Sequence, residues 1–245
     1  MDTSTYAVEA EVEANHWWFV ARRRLFADLI ARQRLAADAR VLDIGTSTGT
    51  NLRLLRDLGF ANRRGLDLSD DAIRWCAEKG LGKVEKGDVC NLPFGDGEFD
   101  LVLATDIIEH VDDDLRAVSE IRRVLAPGGT AIISVPAFRS LWGLQDDVSH
   151  HKRRYLRKEL LDLIRRGGLS CRDGFYFNYL LFLPIWGARQ LIRLLRVKLD
   201  SENQMNTPLL NRLLTWIFTL DVATARVIHP PFGVSIVAVT GRDAG

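Results

Sequence analysis

Between residues 40 and 136 the chain alternates short apolar runs with segments whose apolar residues recur at helical spacing. The runs are "RVLDIG", "RRGLDL", "GKVEKGD", "FDLVLAT" and "GTAIISVP", with "SDDAIRWCAEKG" and "DDLRAVSEIRRVLAPGG" as helices between them. This alternation predicts an α/β chain with a parallel sheet and crossover helices, and runs apolar on both faces predict a sheet covered on both sides. Ser69 or Asp70 suits the start of the first helix, and Gly128 or Gly129 the end of the second. Ahead of the alternation, "NHWWFVARRRLFADLIARQRL" predicts a helix across the domain, with Trp18, Leu25, Ile30 and Leu35 among basic residues. After it, residues 179–230 predict a helical insertion before a last strand, "VSIVAVTG", with "DSENQMNTP" (200–208) as a linker. We read 1–245 as one domain in which 1–38 is an N-terminal lid region.

Bulk properties narrow the partners. Thirty-three basic and 32 acidic residues leave a net charge of +1, so no global charge draws the chain to nucleic acid. Cys76, Cys90 and Cys171 are too scattered for a disulfide framework or a CxxC zinc site, which fits a reducing, cytoplasmic setting. No metal is expected. The acidic N-terminus lacks the basic start and apolar centre of a signal peptide. The uncharged stretch 175–188 is shorter than the ~20 residues a membrane-spanning helix needs.

The candidate chemistry begins at "VLDIGTSTGTN" (41–51), an apolar strand entering a glycine turn. A dinucleotide fingerprint needs glycine at 45, 47 and 50, and only Gly45 qualifies. A phosphate-cradling loop needs glycine at 50 and lysine at 51, where Thr50 and Asn51 stand. The loop therefore suits a ligand that approaches the backbone closely without a pyrophosphate. Small Ser47 permits that approach provided its φ is negative. Asp67 ends the next strand, at the distance where a carboxylate takes two ribose hydroxyls, both donors. In "GDVCNLPF", Asp88 and the Val89 backbone stand where an adenine is read. Ribose and adenine without phosphate point to a nucleoside cofactor.

Taken together, "VLDIGTSTGTN", "GLDLSDDAI", "GDVCNLPFGDGEFDLVLATDIIEHV" and "EIRRVLAPGGTAIISVP" resemble the class I S-adenosylmethionine-dependent methyltransferases over residues 40–136. The family's usual Gly-Cys-Gly-x-Gly is here Gly45-Thr46-Ser47-Thr48-Gly49. The resemblance implies a Rossmann-like doubly wound sheet of seven strands, the last antiparallel, and S-adenosylmethionine as cofactor. It implies that Asp43 and the backbone of Gly45, Thr46, Ser47 and Gly49 face the methionine part. Asp67 and Leu68 would border the ribose, Asp88 and Val89 the adenine, and Thr105 and Asp106 the transferred methyl. "NHWWF" with its arginines and "HHKRRY" also resemble a bacterial subgroup carrying both motifs. By analogy the N-terminal helix would lid the cofactor and Arg22 or Arg23 would pair with the methionine carboxylate.

Methyl transfer from a sulfonium is an in-line displacement that needs positioning and desolvation, without a metal or a covalent intermediate. A hydroxyl acceptor would gain from a base, and histidine suits that role near neutral pH. His110 follows the fourth strand, and His150 and His151 follow the fifth, all at the ligand-binding end of the sheet. Each competes with a plain structural role. Trp18, Arg154 and Tyr155 are expected against the acceptor.

The insertion carries Arg189, Arg193 and Arg196 on one helical face and Leu191, Ile192 and Leu195 on another. A second apolar stripe runs through 209, 210, 213, 214, 217 and 220. A basic amphipathic segment with aromatics suits a membrane surface or a lipid-binding cap; an ordinary pocket cap and a dimer interface compete. We expect O-methylation of a small hydrophobic or lipid-linked acceptor, such as a polyprenyl, quinone or glycolipid precursor, with peripheral placement at the inner membrane face. Methylation of RNA or protein, and a non-catalytic membrane-docking scaffold, are the alternatives.

Overall fold

Four of the five runs become interior strands of one sheet; residues 41–44, 101–104 and 130–136 are buried on both faces, as parallel strands flanked by helices must be, whereas the run at 83–86 is the partly exposed sheet edge. The computed structural model of the chain describes residues 10, 12–195 and 207–243. In chain order the elements are α1 (Trp17–Ala31), β1 (Val41–Ile44), α2 (Thr50–Asp57), β2 (Arg63–Asp67), α3 (Asp70–Glu78), β3 (Lys83–Lys86), β4 (Phe99–Thr105) and α4 (Asp114–Val124). There follow β5 (Leu125–Pro136), α5 (Leu144–Val148), α6 (Arg157–Arg166), β6 (Ser170–Phe177), α7 (Phe182–Leu195), α8 (Pro208–Ile228) and β7 (Ser235–Gly241). The sheet order is β3-β2-β1-β4-β5-β7-β6, with β7 antiparallel to both its neighbours. The order reverses at β1, so the carboxyl ends of β1 and β4 open the crevice where such sheets bind ligands.

Two apolar cores flank the sheet. Leu42, Ile44, Val102, Ile121 and Ile133 belong to one, and Phe26, Val41, Leu55, Leu103 and Phe218 to the other. Ser69 caps α3, its hydroxyl accepting from the Ala72 amide. The helix α4 does not run to the glycine pair: it stops at Val124 and Leu125 already starts β5, because the apolar strand pairing outweighs the glycine signal. No sequence run marked β6, whose Arg172, Asp173 and Gly174 interrupt its apolar pattern at a register shift on the sheet edge.

The insertion lies between β6 and β7 as two helices, and α1 packs against α8. Trp18 stacks on Phe218 with ring centroids 5.4 Å apart, and the Trp17 amide donates to Asn211 Oδ1 at 2.8 Å. The stripe on α8 splits. Leu214 and Ile217 turn to the core, whereas Leu209, Leu213 and Leu220 face outward. Of the expected basic face of α7, Arg189 is turned inward to the Leu141 carbonyl. The Arg193 side chain, Arg196 and linker residues 200–206 lie outside the described residues. Among the described residues no helix is long and apolar enough to cross a membrane.

Candidate active site

The turn after β1 is built around two glycines. Gly45 has φ +75° and Gly49 φ +90°, and a Cβ at Gly49 would lie 2.2 Å from Leu81 Cδ1. Neither position admits a side chain. Between them Ser47 has φ 48°, so the negative φ on which its close approach depended is not adopted. The left-handed conformation that the loop geometry demands is thus adopted by a residue for which it is costly. Its amide is held by Asp67, which accepts from Ser47 N and Ser69 N at 2.9 Å each. One carboxylate therefore ties the loop to the end of β2 before any ligand arrives.

Beneath the loop Asp43 is fully buried, and burial pushes its carboxyl up to about 7 although Asn51 donates to it at 2.9 Å. The same Asn51 amide donates to Thr105 Oγ1 at 2.9 Å, linking the ends of β1 and β4. Asp43 Oδ2 and Thr46 Oγ1 are buried without a hydrogen-bond partner. Arg22, reaching from α1, pairs with Asp106 at 2.5 Å and leaves a buried Nε unpartnered. Arg23 is committed elsewhere, to the backbone carbonyls of Glu13 and Ala14. Of the two arginines, Arg22 is the one beside the crevice. Thus two buried oxygens without a partner, on Asp43 and Thr46, and the open Nε of Arg22, whose charge is already paired with Asp106, offer an acceptor, a hydroxyl and one N–H donor, matching an ammonium and a carboxylate on a ligand. Asp88 lies exposed at the far side, accepting from Cys90 N at 2.9 Å, with Val89 buried beside it. Leu68 is 62% exposed, positioned as an open wall by Asp67.

Glu13 carries no local sequence signal of a role at this site. Its buried carboxylate accepts from Thr48 and, at 2.8–3.0 Å, from Thr50 Oγ1, Arg53 and Lys79. Burial opposes its charge, but the donors Thr48, Lys79 and Thr50 hold it below the usual glutamate range. The segment preceding α1 is thereby latched to the cofactor loop. A lone glutamate in an acidic stretch carries no such signal, because its four partners are 35–66 residues away.

A second polar group forms past β4 and β5. Lys152 N donates to the Glu109 carbonyl at 2.9 Å and Arg153 to those of Val111 and Asp112, so the segment after α5 lies along the loop after β4. His110 and His151 meet edge to face with centroids 4.6 Å apart. His151 Nδ1 lies 2.8 Å from Asp146, which also takes two nitrogens of Arg154 at 2.8 and 3.0 Å. Burial works against the Asp146 charge, but hydrogen bonds from His151 and Arg154 hold its carboxyl far below the usual range. Burial and the neighbouring His151 push His110 down to about 4, so its ring is neutral at pH 7. Glu109 is completely buried, both its carboxylate oxygens lack a partner, and burial with the Asp106 charge raises its pKa well above the ordinary value.

The other expected residues are placed as follows. His150 is exposed with φ 56°, outside the His110–His151 contact. Arg154 spends its remaining nitrogen on the Ala137 carbonyl, and buried Tyr155 donates to Asp114 at 2.9 Å, so both brace the wall from behind. Trp18 stays with Phe218 and Arg22. Cysteine spacing offers no metal set, but folding brings together a group of another composition. One ligand atom each from Glu109, His110 and His151 lies within 4.8 Å of the others, brought together across 41 residues only by folding.

Comparison with known proteins agrees with this geometry. A family described as "Methyltransferase domain" matches residues 42–133. Norajmaline N-methyltransferase of Rauvolfia serpentina is 35% identical, over 59% of this chain and 51% of its own length. Malonyl-[acyl-carrier protein] O-methyltransferase of Enterobacter lignolyticus is 30% identical over 71% of this chain and 70% of its own. The chain spans about half or less of the first curated relatives it matches. In fold it is similar to the structure of a Haloferax volcanii methyltransferase in complex with the Trm112 methyltransferase activator. The TM-score is 0.67 at 21% identity, covering 99% of this chain and 96% of that one. By sequence, sheet order and loop, the chain belongs to the class I S-adenosylmethionine-dependent methyltransferase family.

Proposed function

We propose that the protein transfers a methyl group from S-adenosylmethionine to an oxygen of a small, hydrophobic or lipid-linked acceptor. The observation that carries the cofactor part is the set of buried, unpartnered atoms at the loop, Asp43 Oδ2, Thr46 Oγ1 and Arg22 Nε, beside the pre-tied Asp67. When bound, the cofactor supplies an electrophilic methyl on sulfur. Asp43 and the Thr46 hydroxyl hold the ammonium end, Arg22 the carboxylate, and Asp67 the ribose. Thr105 and Asp106 line the approach to the methyl, and α1 excludes water from above. The acceptor enters beside Glu109, His110 and His151. Oxygen as the receiving atom draws support from the malonyl-[acyl-carrier protein] O-methyltransferase, whose name specifies O-methylation.

The hydrophobic character of the acceptor draws support from the insertion. Leu183, Leu191 and Leu194 on α7 and Leu209, Leu213 and Trp216 on α8 are each more than half exposed. Such an apolar surface next to the crevice suits delivery of an acceptor from a membrane face. Anionic and neutral vesicles in a flotation assay test that part.

Calorimetry with S-adenosylmethionine tests the cofactor: Asp67→Ala should lose measurable affinity, and unchanged affinity removes the ribose assignment. Labelled methyl transfer with a lipid extract tests the acceptor. Label in the organic phase is the expected result. Label in RNA or protein supports the alternative acceptors, and binding without transfer to any fraction supports a scaffold.

A further inference from the structure

We propose that Glu109, His110 and His151 form a site for one divalent cation of the zinc type, with Asp146 orienting His151 from behind. The site stands on the geometry of these residues; only its role toward the acceptor rests on the methyl-transfer reading above.

Two imidazoles and one carboxylate are a ligand set that zinc accepts, leaving at least one position open. Here the three ligand atoms lie within 4.8 Å of one another. Ligands ~2.1 Å from a common ion are at most ~4.2 Å apart, so side-chain adjustments of under ~1 Å close the set. His151 has one ring nitrogen already assigned, its Nδ1 being on Asp146 at 2.8 Å. A carboxylate behind a ligating histidine fixes its tautomer and leaves Nε2 free to bind. Asp146 is rigidly placed for this by Gly143 N and Arg154.

Glu109 supplies the independent sign of a ligand. Its side chain is fully buried, and neither carboxylate oxygen has a hydrogen-bond partner. Arg154 and Arg22 attract its charge without hydrogen-bonding it, since Arg154 directs its nitrogens to Asp146 and the Ala137 carbonyl and Arg22 is on Asp106. A buried carboxyl without a hydrogen bond is costly to keep, and a cation between it and the histidines would remove that cost. His110 and His151 are not fully buried, so the site is reachable from the crevice. The histidines then act as ligands and not as the base expected from the sequence. An acceptor hydroxyl on the open position loses its proton to solvent and is held as the oxyanion. Its oxygen then forms the O–CH3 bond as the S–CH3 bond breaks, leaving the electron pair on sulfur.

The full chain, stripped with chelator and dialysed, is titrated with Co2+ and followed by visible absorption. The expected result is one Co2+ per chain, with d–d bands of low-coordinate N/O ligation that Zn2+ abolishes. Glu109→Gln and His151→Ala should each weaken Co2+ binding by at least ~10- to 100-fold, the scale of ligand-shell losses. Calorimetry with S-adenosylmethionine on the same variants reports that the fold is intact. If both variants fail that control, His110→Asn, at a partly buried position, decides in the same way. No stoichiometric Co2+ band in the native chain, or unchanged affinity in a folded variant, overturns the proposal. If the native chain binds Co2+ but not S-adenosylmethionine, the cofactor reading fails while the cation site stands.

Discussion

The two edges of the crevice treat their carboxylates in opposite ways. At the β1–β2 edge Asp67 is tied by two backbone amides, and Glu13 collects four donors from the loop, α2 and α3. At the β4–β5 edge Glu109 is buried with both oxygens unpartnered, although Asp146 next to it is saturated. At the first edge the chain itself pairs Asp67 and Glu13 and leaves only single atoms of Asp43 and Thr46 open, whereas at the second Glu109 has no hydrogen-bond partner on either oxygen. Preorganisation suits a constant cofactor, whose contacts recur in every turnover. An incomplete shell suits the part of the site where the bound species changes.

The largest effect that would sharpen this contrast concerns Asp43, which lies under the preorganised edge. Its folded pKa of about 7 exceeds the ordinary 3.8. The folded chain therefore keeps a proton that the unfolded chain has released, and stability falls as pH rises from about 4 to about 7, then levels off. The full span is on the order of 4 kcal/mol. Asp43→Asn should flatten this fall in thermal melts between pH 5 and pH 8; an identical fall in the variant removes Asp43 as its source.

Next in size is the latch. Glu13→Ala leaves Lys79 and Arg53 without their shared buried carboxylate, and we expect a loss of about 3 kcal/mol in urea unfolding. A loss below ~1 kcal/mol would mean that the segment before α1 is not part of the preorganised edge. Asp67→Ala should cost about 2–3 kcal/mol in cofactor affinity, measured by calorimetry, because it removes a carboxylate acceptor from the site. The smallest change concerns Ser47 with φ 48°. Ser47→Gly should stabilise by no more than ~1 kcal/mol, strain relief being offset by added unfolded-state entropy. Destabilisation by more than that would show that the serine hydroxyl holds the loop.

Much of the preorganised half was legible along the chain. The runs 40–136 became β1 to β5 with the helices between them, and Asp43, Asp67 and Asp88 fell at the strand ends where the motifs put them. That legibility has a physical cause: period, strand length and turn glycines are local properties. Less local features were misread. Ser47 adopts a positive φ because Gly45, Gly49 and the Asp67 carboxylate fix the turn around it. Arg189 turns inward because α7 lies over the Leu141 carbonyl, which a helical wheel does not contain. Strand β6 went unseen because pairing with β7 sustains a run that its own residues interrupt.

The sequence by itself determined the alternating α/β order, the turn that excludes a pyrophosphate loop, and membership of the methyltransferase family. Each of these depends on residues within one or two elements of each other. Only the tertiary structure decided that Glu13 locks the loop from 35 residues away, and that Glu109, His110 and His151 converge across the gap between the β4 and β5 loops. Those contacts arise because parallel strands deliver distant loops to a common edge, a juxtaposition set by sheet order and not by spacing along the chain.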